Sequence, residues 1–527
     1  MSVENELDNV VTLAAPERTE RALAGKHVVV TGFTGFLAKV YVALLLEQVP
    51  DIGRITLLVR PRGRVQPAKV RVERIVDRSP VFRALRATHG QGLSAWLSSR
   101  LDAIDADVEK PGCGISAEDL QRLAGADVVV HCAGLTDFEP DPVRALSANV
   151  AGALHTAQVA LRLRAPLVHV STCYVAGSIG KASVAESLEP GVAPSGQRFD
   201  ANAEVRALQL ACRHTPDAQQ RVTVALERAR VLGWPNIYTY TKGLAEHVLA
   251  GVRGLETTIV RPSIVECARS FPFPGWNEGL NTAGPLAWLI STAFRRFPTV
   301  PHHTFDVVPV DDVARGLGAI TGAALTGRAG GVFQLASSDH APLTFDRAVE
   351  LTGLGMRRWT RKGGGTAVDR ALFRLLDPVP VPVEKPGPFA ASRVARWAKD
   401  LRITLGELEL PEALKDLRTR AAGKLLQAED DARRVDKMLQ MYRPFVHDND
   451  WTFRTDRARS LSAHEGAFRF DLRDLDWCDY WVDVEYPGLR KWCIPILHNE
   501  TIENDPPSSP PFRLERAQPW SARAVGK

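Results

Sequence analysis

The segment that most constrains the fold is KHVVVTGFTGFLAKVYVALLLEQ, beginning at Lys26. A β-branched run passes through a glycine turn directly into an apolar helical pattern. Similar apolar runs recur at His27–Val30, Ile55–Val59, Val128–His131, Leu167–Val170 and Thr257–Val260, separated by longer amphipathic stretches. Continuous apolar runs of this kind imply strands covered on both faces, hence an α/β, doubly wound, mostly parallel sheet. Phe305–Val310 and Gly331–Leu335 read as later strands of the same domain.

At 527 residues the chain exceeds one ordinary core. The expected division is a mobile arm over 1–25, the α/β domain over 26–355 and a smaller, mainly helical C-terminal domain over 356–527. The Pro-rich stretches at 377–388 and 504–511 read as a linker and a loose tail. The 66 basic and 61 acidic residues leave a net charge of +5, spread along the chain, which excludes nucleic acid as an expected partner. The 7 cysteines form no C-x-x-C pair and no ligand spacing with histidine, so free thiols and no metal are expected. The N-terminus has no signal-peptide pattern, and nowhere do about 18 apolar residues run together. A cytoplasmic protein is expected.

In the opening motif, Gly32 permits a tight turn and Gly35 lets backbone N–H groups approach a pyrophosphate at the positive end of the helix. Ala38 stands where a third glycine is common and need only be small. The second run ends in Arg60, Arg62 and Arg64, where an NAD site usually carries an acid for the ribose hydroxyl. Arginine forks pair with a phosphate, so NADPH is the expected cofactor.

In GWPNIYTYTKGLAEHVLA, Tyr238 precedes Lys242 by one helical turn, and the two share a face. A nearby ammonium stabilises a phenolate and is expected to lower the tyrosine pKa, while Tyr240 points elsewhere. In VHVSTCYVAG, Ser171 and Thr172 end a buried run, where a hydroxyl can hold a carbonyl oxygen. Cys173 is a conceivable acyl acceptor, but nothing basic stands at a spacing that would activate it.

These elements, in this order, resemble the short-chain dehydrogenase/reductase superfamily, whose pattern selects Thr172 over Ser171. Further segments resemble one branch of it, the fatty acyl-CoA reductases of the male-sterility family: LLVRPR, DADVEKPGCGIS, VHCAGLTDF, IVRPSIVE, FPFPGWNEGLN and DVVPVDDVA, over about residues 26–320. Ala38 and Ala106 depart from the family's usual glycines. Carried over, the resemblance implies an extended Rossmann fold. It places Gly32, Thr34, Gly35, Phe36 and Leu37 around the pyrophosphate, Arg60 and Arg62 at the 2′-phosphate, and Asp107 and Val108 at the adenine. Cys132, Ala133 and Gly134 flank the cofactor, Lys242 meets its ribose, and Pro262, Ser263, Ile264 and Val265 meet the nicotinamide.

The implied reaction is NADPH-dependent reduction of a long-chain fatty acyl-CoA or acyl carrier protein thioester by direct hydride transfer. It proceeds through a bound aldehyde to the primary alcohol, with Thr172, Tyr238 and Lys242 as the catalytic set. The alternatives are an acyl thioester reductase that releases aldehyde, a nucleotide-sugar enzyme, and a cofactor-bound scaffold without turnover. The stretch between Thr172 and Tyr238 either walls an acyl tunnel or adds packing. Trp477, Tyr480, Trp481 and Tyr486 either close that tunnel or build the C-terminal core. GPLAWLISTAFRRF (284–297) and MRRWTRKGGG (356–365) leave three readings open: peripheral contact with a membrane surface, a core helix with a solvated loop, or arginines facing CoA phosphates.

Overall fold

The computed structural model describes residues 18–514 apart from 64, 280–295, 299, 368–369, 372, 374–377, 382–390, 408–411, 498–499, 503–504 and 507–510. In chain order the strands are β1 His27–Thr31, β2 Arg54–Val59, β3 Leu101–Asp105, β4 Val128–His131, β5 Leu167–Val170, β6 Lys181–Val184, β7 Thr257–Pro262, β8 Ile264–Glu266, β9 Arg296–Pro298, β10 Val307–Pro309, β11 Gly331–Leu335, β12 Val379–Val381 and β13 Asp450–Phe453. Seven of them form one sheet in the order β3-β2-β1-β4-β5-β7-β11, parallel throughout. β1 and β2 are buried along their whole length, as a sheet covered on both faces requires.

One face is covered by the helices Phe36–Gln48 and Val310–Leu325, which meet where Tyr41 Oη donates to Thr321 Oγ1 at 3.0 Å. The other is covered by Gly152–Leu163 and Ile237–Ala250, the centre of a second apolar cluster. The chain winds outward from β1 through β2 to β3, then returns to β4 on the other side. The carboxyl ends of β1 and β4 therefore diverge and leave a crevice.

Three expectations need correction or trimming. The edge strand β3 is absent from the sequence reading, because its LDAID run carries Asp102, buried here by two bonds from Arg122 at 2.6 Å. The run Phe305–Val310 shortens to β10, which pairs with β8 outside the main sheet. Of the arm expected over 1–25, residues 1–17 lie outside the described residues. Thr19–Leu23 is a helix whose first N–H donates to Glu465 at 2.6 Å.

The C-terminal third shares the core of the α/β part. β13 pairs in parallel with β6, the Cys267 N–H donates to Glu485 at 3.1 Å, and Phe512 and Leu514 are buried in the same apolar cluster. Residues 284–295 and most of 377–388 lie outside the described residues. In the 356–365 segment, Arg358 pairs with Asp483 at 2.7 Å. Among the described residues no helix is long and apolar enough to cross a membrane.

Candidate active site

Two contiguous cavities, of about 400 and 480 Å3, occupy the crevice and share Gly32, Gly35, Cys132, Gly134 and Leu135. Gly32 leaves β1 at φ +79°, and a Cβ there would stand 2.6 Å from the Ala133 nitrogen, so the turn admits only glycine. Gly35 is the N-cap of Phe36–Gln48. Its N–H bonds Gly32 O at 2.8 Å and no side chain caps the helix, which leaves the positive end to a ligand. The first cavity is also lined by Thr34, Arg60, Arg62, Asp107, Val108 and Ala133. The second adds Phe36, Leu37, Pro262, Ser263, Ile264 and Val265, together with Thr172, Tyr238 and Lys242. One cleft thus brings together the residues that the resemblance assigns to cofactor and catalysis, while Arg64 lies outside the described residues. A glycine cradle that a Cβ would fill, followed by an uncapped helix end, fits a nicotinamide dinucleotide.

The catalytic side is positioned by the Trp-Pro-Asn lead. Trp234 Nε1 donates to Val175 O at 2.9 Å, and its ring lies where a Cβ on Gly243 would come within 2.6 Å. Asn236 Oδ1 accepts the Thr239 N–H at 2.9 Å and starts the helix Ile237–Ala250 just before Tyr238. One turn on, Lys242 Nζ donates to Val170 O at 2.7 Å, at the end of β5. Thr172, two residues further, lines the same cleft and interacts with the Tyr238 phenol, pulling its pKa down.

Burial pushes the Tyr238 phenol up to about 12, with Thr172 pulling the other way. Burial also brings the Lys242 ammonium down to about 8, opposed by Glu246. The expected lowering of the tyrosine by the lysine is therefore not found: burial dominates, and the ammonium is held by a backbone carbonyl. At neutral pH Tyr238 is a protonated phenol and a proton donor.

The neighbouring candidates face elsewhere or are inert. Tyr240 donates to Glu204 on the far side of the helix. Ser171 also lines the cleft, with a buried hydroxyl that has no partner, but the contact with Tyr238 belongs to Thr172. Cys173 is buried beneath, its thiol donating to Arg261 O at 2.9 Å, and burial holds its pKa well above the usual range. A thiol in that state is no nucleophile. The helices Ala201–Arg213 and Ala218–Val231 pack behind Ile237–Ala250, where Glu204 joins Arg228 and Tyr240, so the insertion contributes packing.

Four features escaped the sequence reading. Arg71, on the helix Ala68–Arg78, is buried in the wall of the first cavity, donates to Arg60 O, and has an Nε without an acceptor among the described residues. Burial, then the charges of Arg62, Arg74 and Arg60, hold its pKa below the ordinary value. Glu109 lines the same cavity and pairs with Arg60 at 2.8 Å. Asn149, in the π-helical turn Leu146–Ala151, bonds both Leu135 and Thr241 and fixes the cleft loop to the catalytic helix. Finally, the aromatic wall beside Tyr238 is not the 477–486 group. Phe138 stacks on Tyr238 with ring centroids 6.2 Å apart and is backed by Phe445 at 5.1 Å and Tyr442 at 5.5 Å. Trp481 instead donates to Thr352, Tyr480 donates to Cys267 O, and Tyr486 is buried in the core.

Comparison with known proteins agrees with this architecture. Residues 30–317 match the family described as male sterility protein. A putative fatty acyl-CoA reductase of Drosophila melanogaster is 31% identical over 502 residues, covering 91% of this chain and 87% of its own. The alcohol-forming fatty acyl-CoA reductase of Simmondsia chinensis is 25% identical over 494 residues, covering 89% and 97%. The terminal R domain from the myxalamid PKS-NRPS biosynthetic pathway shares the fold, with a TM-score of 0.51 at 17% identity over 90% of this chain and 91% of that one. The chain belongs to the male-sterility family, with the fatty acyl-CoA reductases.

Proposed function

We propose that the chain reduces long-chain fatty acyl thioesters with NADPH, by direct hydride transfer and through a retained aldehyde to the primary alcohol. The observation that carries this reading is the contact between Thr172 and a protonated Tyr238 at the mouth of a dinucleotide cleft. Arg60, Arg62 and Arg71 line the part of the cleft where the 2′-phosphate of NADPH would lie, and with Arg144 they outnumber the two lining carboxylates, Asp107 and Glu109. That balance favours the phosphorylated cofactor. Bound there, NADPH supplies the hydride.

The protein's own work is on oxygen. Thr172 and Tyr238 hold the carbonyl oxygen of the thioester, and Tyr238 gives it a proton as charge develops. Lys242, charged below about pH 8, keeps the local field positive. Collapse of the resulting hemithioacetal expels the thiol and leaves an aldehyde, whose carbonyl needs the same two donors. A long alkyl chain favours retention by roughly 0.8 kcal/mol per buried methylene. The name of the Simmondsia relative supports alcohol as the end point.

The test is a product analysis. Purified chain with NADPH and palmitoyl-CoA should consume two NADPH per thiol released, form hexadecanol and accept added hexadecanal. One NADPH per thiol, with aldehyde accumulating under excess cofactor, would instead make it an aldehyde-releasing reductase.

A further inference from the structure

A second concavity, of about 480 Å3, lies between the helices Phe345–Arg361 and Tyr486–Trp492 and plays no part in the cleft just described. Arg358 and Lys362 stand on one wall and Arg490 and Lys491 on the other, with Asp483 as the one lining carboxylate among the described residues. Asp483 is taken by Arg358 at 2.7 Å. Lys362, Arg490 and Lys491 have no carboxylate partner among the described residues. A cation in the last turn of a helix offsets its exposed carbonyls, but that accounts for one cation per helix and not for two pairs facing each other. Unpaired like charges across a gap repel, and an anion between them removes that cost.

The site is also preorganised. The Arg490 guanidinium lies 3.4 Å from the centroid of the Trp359 ring. That ring is packed on Gly364, where a Cβ would come within 2.2 Å of it. A stacked arginine has its plane fixed and its N–H edge free for phosphate oxygens.

Its position ties it to the reaction. On the other side of the helix Tyr486–Trp492, Gly488 presses on Gly275 so closely that a Cβ would meet the Gly275 oxygen at 2.3 Å. Just beyond its end, Cys493 Sγ donates to Gly279 O at 3.1 Å, and Gly279 lines the reduction cleft. One helix, about 10 Å across, therefore separates the basic pocket from the cleft. A pantetheine arm would have to pass this helix to bring the thioester to the cleft.

We propose that this pocket binds the phosphorylated adenosine of the thioester donor, Arg490, Lys491 and Lys362 meeting its 3′-phosphate and diphosphate. A carrier protein offers only one phosphodiester on a convex surface, which does not fill a concave site with three cations that lack a carboxylate partner among the described residues. The proposal rests on the thioester-reductase reading above and specifies how that reaction's donor is held.

The test uses the full chain saturated with NADPH, so that the dinucleotide cleft is closed to competitors, titrated calorimetrically with adenosine 3′,5′-bisphosphate. Saturable binding is expected, weakened about ten- to hundredfold in Arg490→Ala/Lys491→Ala and in the separately made, surface-exposed Lys362→Ala, with NADPH affinity unchanged. In turnover, the same variants should raise KM for palmitoyl-CoA while leaving kcat, and KM for S-palmitoyl-N-acetylcysteamine, which lacks the nucleotide, unchanged. Equal bisphosphate binding by wild type and variants would overturn the proposal, as would equal KM changes for both thioesters. Inorganic phosphate binding as tightly as the bisphosphate would overturn the nucleotide assignment. So would variant-sensitive flotation on phosphatidylserine vesicles without bisphosphate binding, which would make the pocket a lipid site. A wild type that oxidises no NADPH with either thioester would refute the reductase reading and leave the calorimetry to be judged separately.

Discussion

The dinucleotide half of the cleft and its substrate half are built in opposite ways. The first comes from a few short contiguous stretches: the Gly32–Leu37 turn, the end of β2, and the loops after β3 and β4. The second takes Tyr238 from one helix, and behind it distant segments meet: Phe138 from the loop after β4, and Tyr442 and Phe445 from the long helix Glu412–Val446. A turn that must approach a phosphate is specified by the residues that form it, whereas a wall for an apolar chain needs only bulk arriving from somewhere. The two halves should therefore fail differently when altered.

The largest effect is expected where the halves meet. Tyr238→Phe should lower kcat on the order of 10²–10⁴-fold while NADPH titrates the protein fluorescence as before. Tyr240→Phe, whose hydroxyl faces Glu204, should stay near wild type in turnover. If the second variant is the inactive one, the proton donor is misassigned.

On the substrate side, Phe445→Ala removes a buried ring from between Phe138 and Tyr174 and should cost about 3–5 kcal/mol of stability in chemical denaturation. NADPH affinity of the folded fraction should hold. A stable variant with weakened NADPH binding would mean that the halves are not separable in this way.

On the dinucleotide side, Arg71→Ala should weaken NADPH binding by about ten- to hundredfold and leave NADH binding unchanged. Equal losses for both cofactors would show that Arg71 only supports the Arg60 loop. Smallest is the pH effect. Lys242 is charged below about 8 and loses its proton above it, so kcat should fall with rising pH by roughly one decade per unit beyond that point. A flat alkaline limb would remove the ammonium from the mechanism.

The same division explains what could be read in the sequence. The glycine turn, the arginines after β2 and the Tyr238/Lys242 spacing are local patterns, and each constrains a backbone geometry that its own residues create. Arg71 belongs to no pattern, because one arginine on a basic amphipathic helix looks solvated until the helix folds beneath Arg60. β3 was obscured by Asp102, whose burial depends on Arg122 arriving from a later helix. The aromatics at 477–486 admit two readings in the sequence, a tunnel wall or core, and Trp481 and Tyr486 satisfy the core, since aromatic density alone does not say which ring reaches the site. The direction of the Tyr238 pKa depended on burial, which spacing along a helix does not report.

Direct passage of hydride from the cofactor to the acyl carbon at the Thr172/Tyr238 site, twice, is the step on which the proposed reaction stands. It is tested most directly by incubating the purified chain with palmitoyl-CoA and NADPH deuterated at both C4 positions, then analysing the product by mass spectrometry. The expected product is hexadecanol with two deuterium atoms on C1, and its formation should be lost in Tyr238→Phe. Product without deuterium at C1, or a fatty acyl group trapped on Cys173, would contradict it.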